Sequence, residues 1–372
     1  MNPHVRLYVL TTLFWAFSTA AGAHCPTVLW PARLPRGPAD FSAALSAPVR
    51  DQLLSSAHRQ LKHTPAPVAH TGSAGNANLD SIALRESRAA FEDADHAAVL
   101  ALAWRTTEET QWLAALTDTL LTWSQVHQPS GHPIDETRLD AFLWAYDLAR
   151  CAIPGEQRTS IDAWLRRMLA AKRQWQFGDK ARHNNHRTHQ LKLLLALERL
   201  IEPKEADAEI ARIKGHQYIN LAAADGASLD FAERDALHYH VYDLEAWGEI
   251  GLLSGCCGPA LERSYGFLLK RLRDFPQAVE FANSTAAIDK RRAEAGFAYA
   301  QAQPYDPRRA ARVTITFATL RSPQVPDQAL AQAESSNSKF KNDACRTIFQ
   351  HERIYPVFGG CGSRLESMKV MR

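Results

Sequence analysis

The chain has 372 residues, 46% of them hydrophobic, with nine tryptophans and a formal net charge of +3. That length suits one large domain or two ordinary ones, with ample apolar material for a core. A charged fraction of 22% without a strong basic stripe argues against a nucleic-acid binder.

The first residues, MNPHVRLYVLTTLFWAFSTAAGAHC, place Arg6 before an apolar run from Leu7 to Ala20. Ala21-Gly22-Ala23 then supplies a small-x-small cleavage site, so residues 1–23 read as a secretory signal peptide cut before His24. The run is short for a membrane span, no stop-transfer pattern follows, and His24 before Cys25 does not suit lipoprotein processing. After cleavage the chain is expected in the periplasm or outside the cell, free of the membrane and monomeric. Its six cysteines (Cys25, Cys151, Cys256, Cys257, Cys345 and Cys361) all lie in the exported part, where up to three disulfides can form. Cys345 with Cys361 would close a short loop; the adjacent Cys256 and Cys257 are expected to bond elsewhere or stay buried. No CxxC pair supports a zinc-thiolate site.

Residues 24–79 are rich in Pro, Ala, Gly and Ser and read as an irregular segment, with 63–80 a possible lid. Helical periodicity then takes over. Residues 81–104 and 109–126 read as helices. In 133–150, Leu139, Phe142, Leu143 and Tyr146 share one helical face, after a start signal from Pro133 and Asp135. In 159–175, Ile161, Trp164, Leu165, Met168 and Leu169 repeat that pattern. Residues 203–224, 232–253 and 258–273 follow suit. RVTITFATL at 312–320 has strand propensity, but Asp306-Pro307 and the face Ala310, Val313, Phe317, Leu320 favour a helix. The last stretch, 322–372, is polar and weakly structured. The expected fold class is all-α, with helices in antiparallel hairpins over residues 80–321.

One helix stands apart. HQLKLLLALERLI has leucines on every side of its axis, which marks an inner, buried helix. Directly before it sits RHNNHRTHQ, residues 182–190. Asparagine is a good N-cap residue, but two Asn, three His and two Arg exceed what capping requires. Free N–H groups and the positive end of a helix favour an anion there, and these side chains suit a carboxylate. A metal on His183, His186 and His189 is the weaker reading, because His183 would lie well round the axis.

The second cluster is FAERDALHYHVYDLEAW, residues 231–247. Tyr242 reads as a satisfied core aromatic, whereas Tyr239 has Arg234, His238 and His240 as neighbours. A phenol titrates near pH 10 when unperturbed, and adjacent positive charge brings its phenolate within reach of neutral pH. A carboxylate-binding Asn/His pair with such a Tyr fits β-elimination from a uronic acid polymer. There, hydrogen bonds to the carboxylate stabilise the carbanion left at C5.

Asn184-Asn185-His186, Tyr239-His240-Val241-Tyr242 after Ala236-Leu237, and the segment GHPIDETRLDAFLWAYDLAR (131–150) resemble the alginate lyase superfamily over roughly residues 70 to 320. The resemblance implies an incomplete α/α toroid with a central cleft, an acidic polysaccharide substrate and elimination without metal or cofactor. It assigns Asn185 and His186 to carboxylate neutralisation and Tyr239 to acid/base work. The family's catalytic Arg stands seven positions before that Tyr, which here is Ala232; Arg234, five before, is the nearest candidate. The family's lysine-bearing lid motif has no clear match. Arg138, Trp144, Arg187 and His189 are the expected substrate contacts. An inverting glycoside hydrolase using acids among Asp230, Glu233 and Asp243 is one alternative, and a non-catalytic polyuronate-binding protein is the other.

Overall fold

The computed structural model describes residues 26–29, 45, 47–72, 81–273, 279–297 and 300–321. The leader expected at 1–23, the tail at 322–372 and Cys25, Cys345 and Cys361 lie outside the described residues. Among those described, the α-helices are α1 Ala47–Gln60, α2 Ile82–Thr107, α3 Thr110–Val126, α4 Asp140–Ala149, α5 Gly155–Gln174 and α6 Asn185–Ile201. They continue as α7 Ala206–Asn220, α8 Leu229–Arg234, α9 Leu237–Ser254, α10 Gly258–Arg273, α11 Ala287–Glu294 and α12 Ala311–Arg321. The described residues hold no strand, only one isolated bridge between Val279 and Pro304.

Helix α6 shows why the arrangement closes into rings. Its leucines 191, 193, 195 and 197 are fully buried although they point in different directions. Neighbours on every side meet that demand: α6 packs against α4, α5, α7 and α9. In turn α9 packs against α6, α10 and α12, while α2 packs against α1, α3 and α4. Inner helices α4, α6 and α9 thus alternate with outer helices α5, α7 and α10, the architecture of an α/α toroid. No helix among the described residues is long and apolar enough to cross a membrane.

The structure departs from the sequence reading at three places. The segment 24–79, read as irregular, contains helix α1, whose Leu53 and Ala57 are buried against α2. The single helix expected over 232–253 is two, because Asp235 adopts a left-handed backbone (φ 47°) that ends α8 and lets α9 start afresh. Cys256 and Cys257 are bonded to each other, since the turn from α9 into α10 brings the neighbouring side chains together. Cys151 is disulfide-bonded as well.

The turn entering α4 is tightly built. The Glu136 carboxylate accepts hydrogen bonds from the backbone N–H groups of Ser130 (2.5 Å) and Gly131 (3.2 Å). It also forms a 2.8 Å ion pair with Lys172 of α5, both side chains being wholly buried. Gly131 has φ +80°, and a Cβ there would lie 2.3 Å from the carbonyl oxygen of Ala171. Gly131→Ala therefore combines an unfavourable backbone with a clash, and should cost more than about 1 kcal/mol. Urea denaturation measures this; an unshifted midpoint would contradict the tight approach to α5.

Candidate active site

The N-terminal ends of the inner helices face a common cleft, a cavity of about 480 Å³. Asn184 caps α6, its side chain accepting the N–H of His186 at 3.0 Å, so Asn185 and His186 form the first turn. These two line the cleft together with Tyr239 and Tyr242 from the start of α9 and Arg234 from the end of α8. The cleft walls carry six arginine and lysine side chains against four acids. That balance suits an anionic ligand.

Asn185 is held from behind. Its backbone N–H donates to Asp230 at 2.8 Å and its side-chain amide donates to the same carboxylate. The amide carries a second N–H, available to the cleft. Asp230 is fully enclosed, and burial pushes its pKa up to about 7 against the pull of the two bonds from Asn185. His186 is held down to a pKa of about 4, first by burial and then by the charges of His132, Arg234 and Arg292. It is therefore a neutral imidazole in the free protein, able to donate one N–H.

The break at Asp235 decides the geometry around Tyr239. On a continuous helix, five residues separate side chains by about 140°. Here the α9 N-terminus is reset: Glu280 accepts the N–H groups of Leu237 (2.7 Å) and His238 (2.8 Å), doing the capping that Ala236 cannot. The Arg234 guanidinium consequently lies 3.5 Å from the Tyr239 ring centroid, anchored through its Nε to Asp289 at 2.8 Å. A second cation reaches the phenol oxygen itself, the Arg292 guanidinium donating to Tyr239 Oη at 2.5 Å. Arg292 belongs to α11, and sequence reasoning missed it: TAAIDKRRAEAG contains no periodic or motif signal. Tyr242 differs from Tyr239. It lines the cleft rather than lying only in the core, its ring 4.2 Å from that of His189, and burial beside Glu245 pushes its pKa well up. His238 also lines the cleft, and burial lowers its pKa to about 3.

The expected substrate contacts divide. Arg138 lines the cleft, paired with Asp95 at 2.9 Å. His189 lines it too, but its ring is committed: Nδ1 meets the Thr137 hydroxyl at 2.6 Å and Nε2 the Tyr242 carbonyl at 3.2 Å. This also sets aside the metal reading of His183, His186 and His189. Trp144 does not line the cleft; it is buried on the core side of α4. Arg187 does not either, since its position is about 200° round α6 from Asn185; it lies over Phe177 and bonds Gln190. The acids considered for hydrolysis are also elsewhere. Asp230 backs Asn185, Asp243 accepts from Thr188, and Glu233 lies 3.9 Å from Lys180 on the surface. Sequence reasoning did not foresee the cleft's own charge cluster. There Lys192 holds Asp140 at 2.6 Å and Glu249 at 3.5 Å, with Arg312 bonded to Glu249.

The sequence profile of the alginate lyase family matches residues 45–272, and the chain belongs to that family. An alginate lyase from Bacteroides ovatus has the same fold at TM-score 0.60 and 14% identity, over 87% of this chain and 98% of that one. An apo variant of alginate lyase A1-III aligns at TM-score 0.52 and 13% identity, over 77% of this chain and 89% of that one. Among curated proteins, none matches the chain.

The low pKa of His186 has a kinetic signature. An unperturbed imidazole titrates near 6.5. Here the folded value of about 4 keeps the ring neutral throughout the usual assay range. A kcat/KM profile should thus show no acid limb near pH 6.5 from this residue, and nuclear magnetic resonance of the ring should find its titration near 4. A limb near 6.5 that disappears in His186→Asn would contradict the assignment.

Proposed function

We propose that the protein is an exported polysaccharide lyase that cleaves a uronate-containing, alginate-like polymer by β-elimination. The observation that carries this reading is the Tyr239 phenol oxygen, bonded to Arg292 while Arg234 lies over its ring, in the same cleft as neutral His186 and Asn185.

The chemistry follows from these groups. The substrate carboxylate takes hydrogen bonds from the Asn185 amide and the His186 ring, and can then accept charge as C5 loses its proton. Tyr239, its phenol oxygen bonded to Arg292 and its ring under Arg234, is the base that removes the C5 proton. Electrons from the C5–H bond form the C4=C5 double bond and the C4–O4 bond breaks. Tyr239 returns its proton to O4 of the leaving chain. The step is redox-neutral and asks for no cofactor. Arg138, and the excess of cations over acids in the walls, supply contacts for further uronates. Asp230 keeps the Asn185 amide turned toward its task. Inverting hydrolysis needs an acid and a base set apart across the bond. Asp140 and Glu249 instead share one proton-bonded cluster clamped by Lys192 and Arg312.

Incubation with a panel of uronate polymers tests the reading, because the new double bond absorbs in the ultraviolet. Absorbance should rise with alginate-like substrates. New reducing ends without absorbance would point to a hydrolase, and saturable binding without turnover to a binding protein. Tyr239→Phe should lower kcat by about 10² to 10⁴-fold, the usual weight of general acid–base catalysis. Arg292→Ala should lower kcat/KM by about 10², as Tyr239 loses the cation bonded to its oxygen. An unchanged kcat/KM in Arg292→Ala would remove that residue from the mechanism.

A further inference from the structure

A second cluster of ligating side chains lies behind the cleft wall. Its centre is Asp93 on α2, wholly enclosed. One carboxylate oxygen, Oδ2, is occupied by two donors: the backbone N–H of Ala66 at 2.8 Å and the Trp123 indole N–H at 2.7 Å. The other, Oδ1, lies 2.6 Å from His63 Nε2. His96, one turn further along α2, brings its ring edge to face against His63, with centroids 4.5 Å apart. One ligating atom from each of His63, Asp93 and His96 falls within 4.8 Å of the others, the one such grouping among the described residues.

We propose that His63, Asp93 and His96 form a binding site for a divalent first-row transition-metal ion, separate from the cleft. Two imidazoles and one carboxylate are a donor set that suits zinc and its neighbours rather than calcium or magnesium. The outer contacts are those of a metal carboxylate: the oxygen turned away from the imidazoles is saturated by fixed N–H donors, which orients the other toward them. The His63 side chain is 31% exposed, giving an ion a way in and a solvent molecule the fourth position.

The site is independent of the cleft. On α2 the cleft-facing residues are Leu84, Arg88, Phe91 and Asp95, and Asp93 is about 200° round the helix from Asp95. A bound ion would tie the chain after α1 to α2, and through the Trp123 contact to α3. Its role is thus to fasten the N-terminal part of the toroid, not to touch substrate.

Full-length protein made without a polyhistidine tag and stripped of metal can be titrated with Co²⁺ and then Zn²⁺. One equivalent of Co²⁺ should bind with visible d–d absorption, be displaced by Zn²⁺, and raise the melting temperature. Affinity should fall at least tenfold in His63→Ala and in His96→Ala. His63 is partly exposed, so its variant tests the site even if His96→Ala proves unstable. Asp93→Asn, which keeps the size of the side chain, should weaken binding likewise. Binding by the unaltered protein no stronger than that of His63→Ala, or no equivalent of metal at all, would overturn the site.

Discussion

A helix with leucines on every side has to be surrounded, and the toroid is built round that requirement. Enclosing α6 needs four neighbouring helices. Once enclosed, the helix has only its ends in contact with solvent. At its N-terminus Asn184 caps and Asn185 and His186 begin the first turn, while Lys192 reaches the cleft from further along the helix. The apolar requirement of the interior and the polar chemistry of the cleft are one constraint seen from two ends.

Burial also tunes the chemistry of the cleft. His186 and His238 are both held neutral, chiefly by desolvation. The site thus separates two jobs. Neutral rings and amides donate hydrogen bonds without adding to the field, and arginines supply the field. Asp289, under Arg234, and Asp230, behind Asn185, show how acids serve as anchors rather than reagents.

Most helices could be read from apolar spacing, because a toroid of stacked hairpins puts the same face inward again and again. Asn185, His186, Tyr239 and Arg138 each stand in or near a recognisable segment, and each lines the cleft. Trp144 does not line the cleft, and because α4 is buried nearly all round, a tryptophan there has no outward side for a sequence pattern to identify. Arg187 points away from the cleft because crowding within one helical turn does not give a shared direction. Arg292 was out of reach: it meets Tyr239 from 53 residues downstream on a polar helix. Contacts made across such distances are fixed by how α11 folds back, and local pattern holds no record of that. His63, Asp93 and His96 lay in a region read as a possible lid and an ordinary helix, where only the packing of α1 on α2 reveals their approach.

The left-handed turn at Asp235 has an effect beyond this cleft. When an arginine and a tyrosine sit on one unbroken helix, their separation must keep step with 3.6 residues per turn, so that inserting or deleting one residue ruins the pair. A break with its own cap, here Glu280, frees the two halves to be phased separately. The count of residues between them then becomes a property of the connecting turn. A change in the length of that turn need not move the guanidinium off the ring, so the interval along the chain does not by itself fix the arrangement in space.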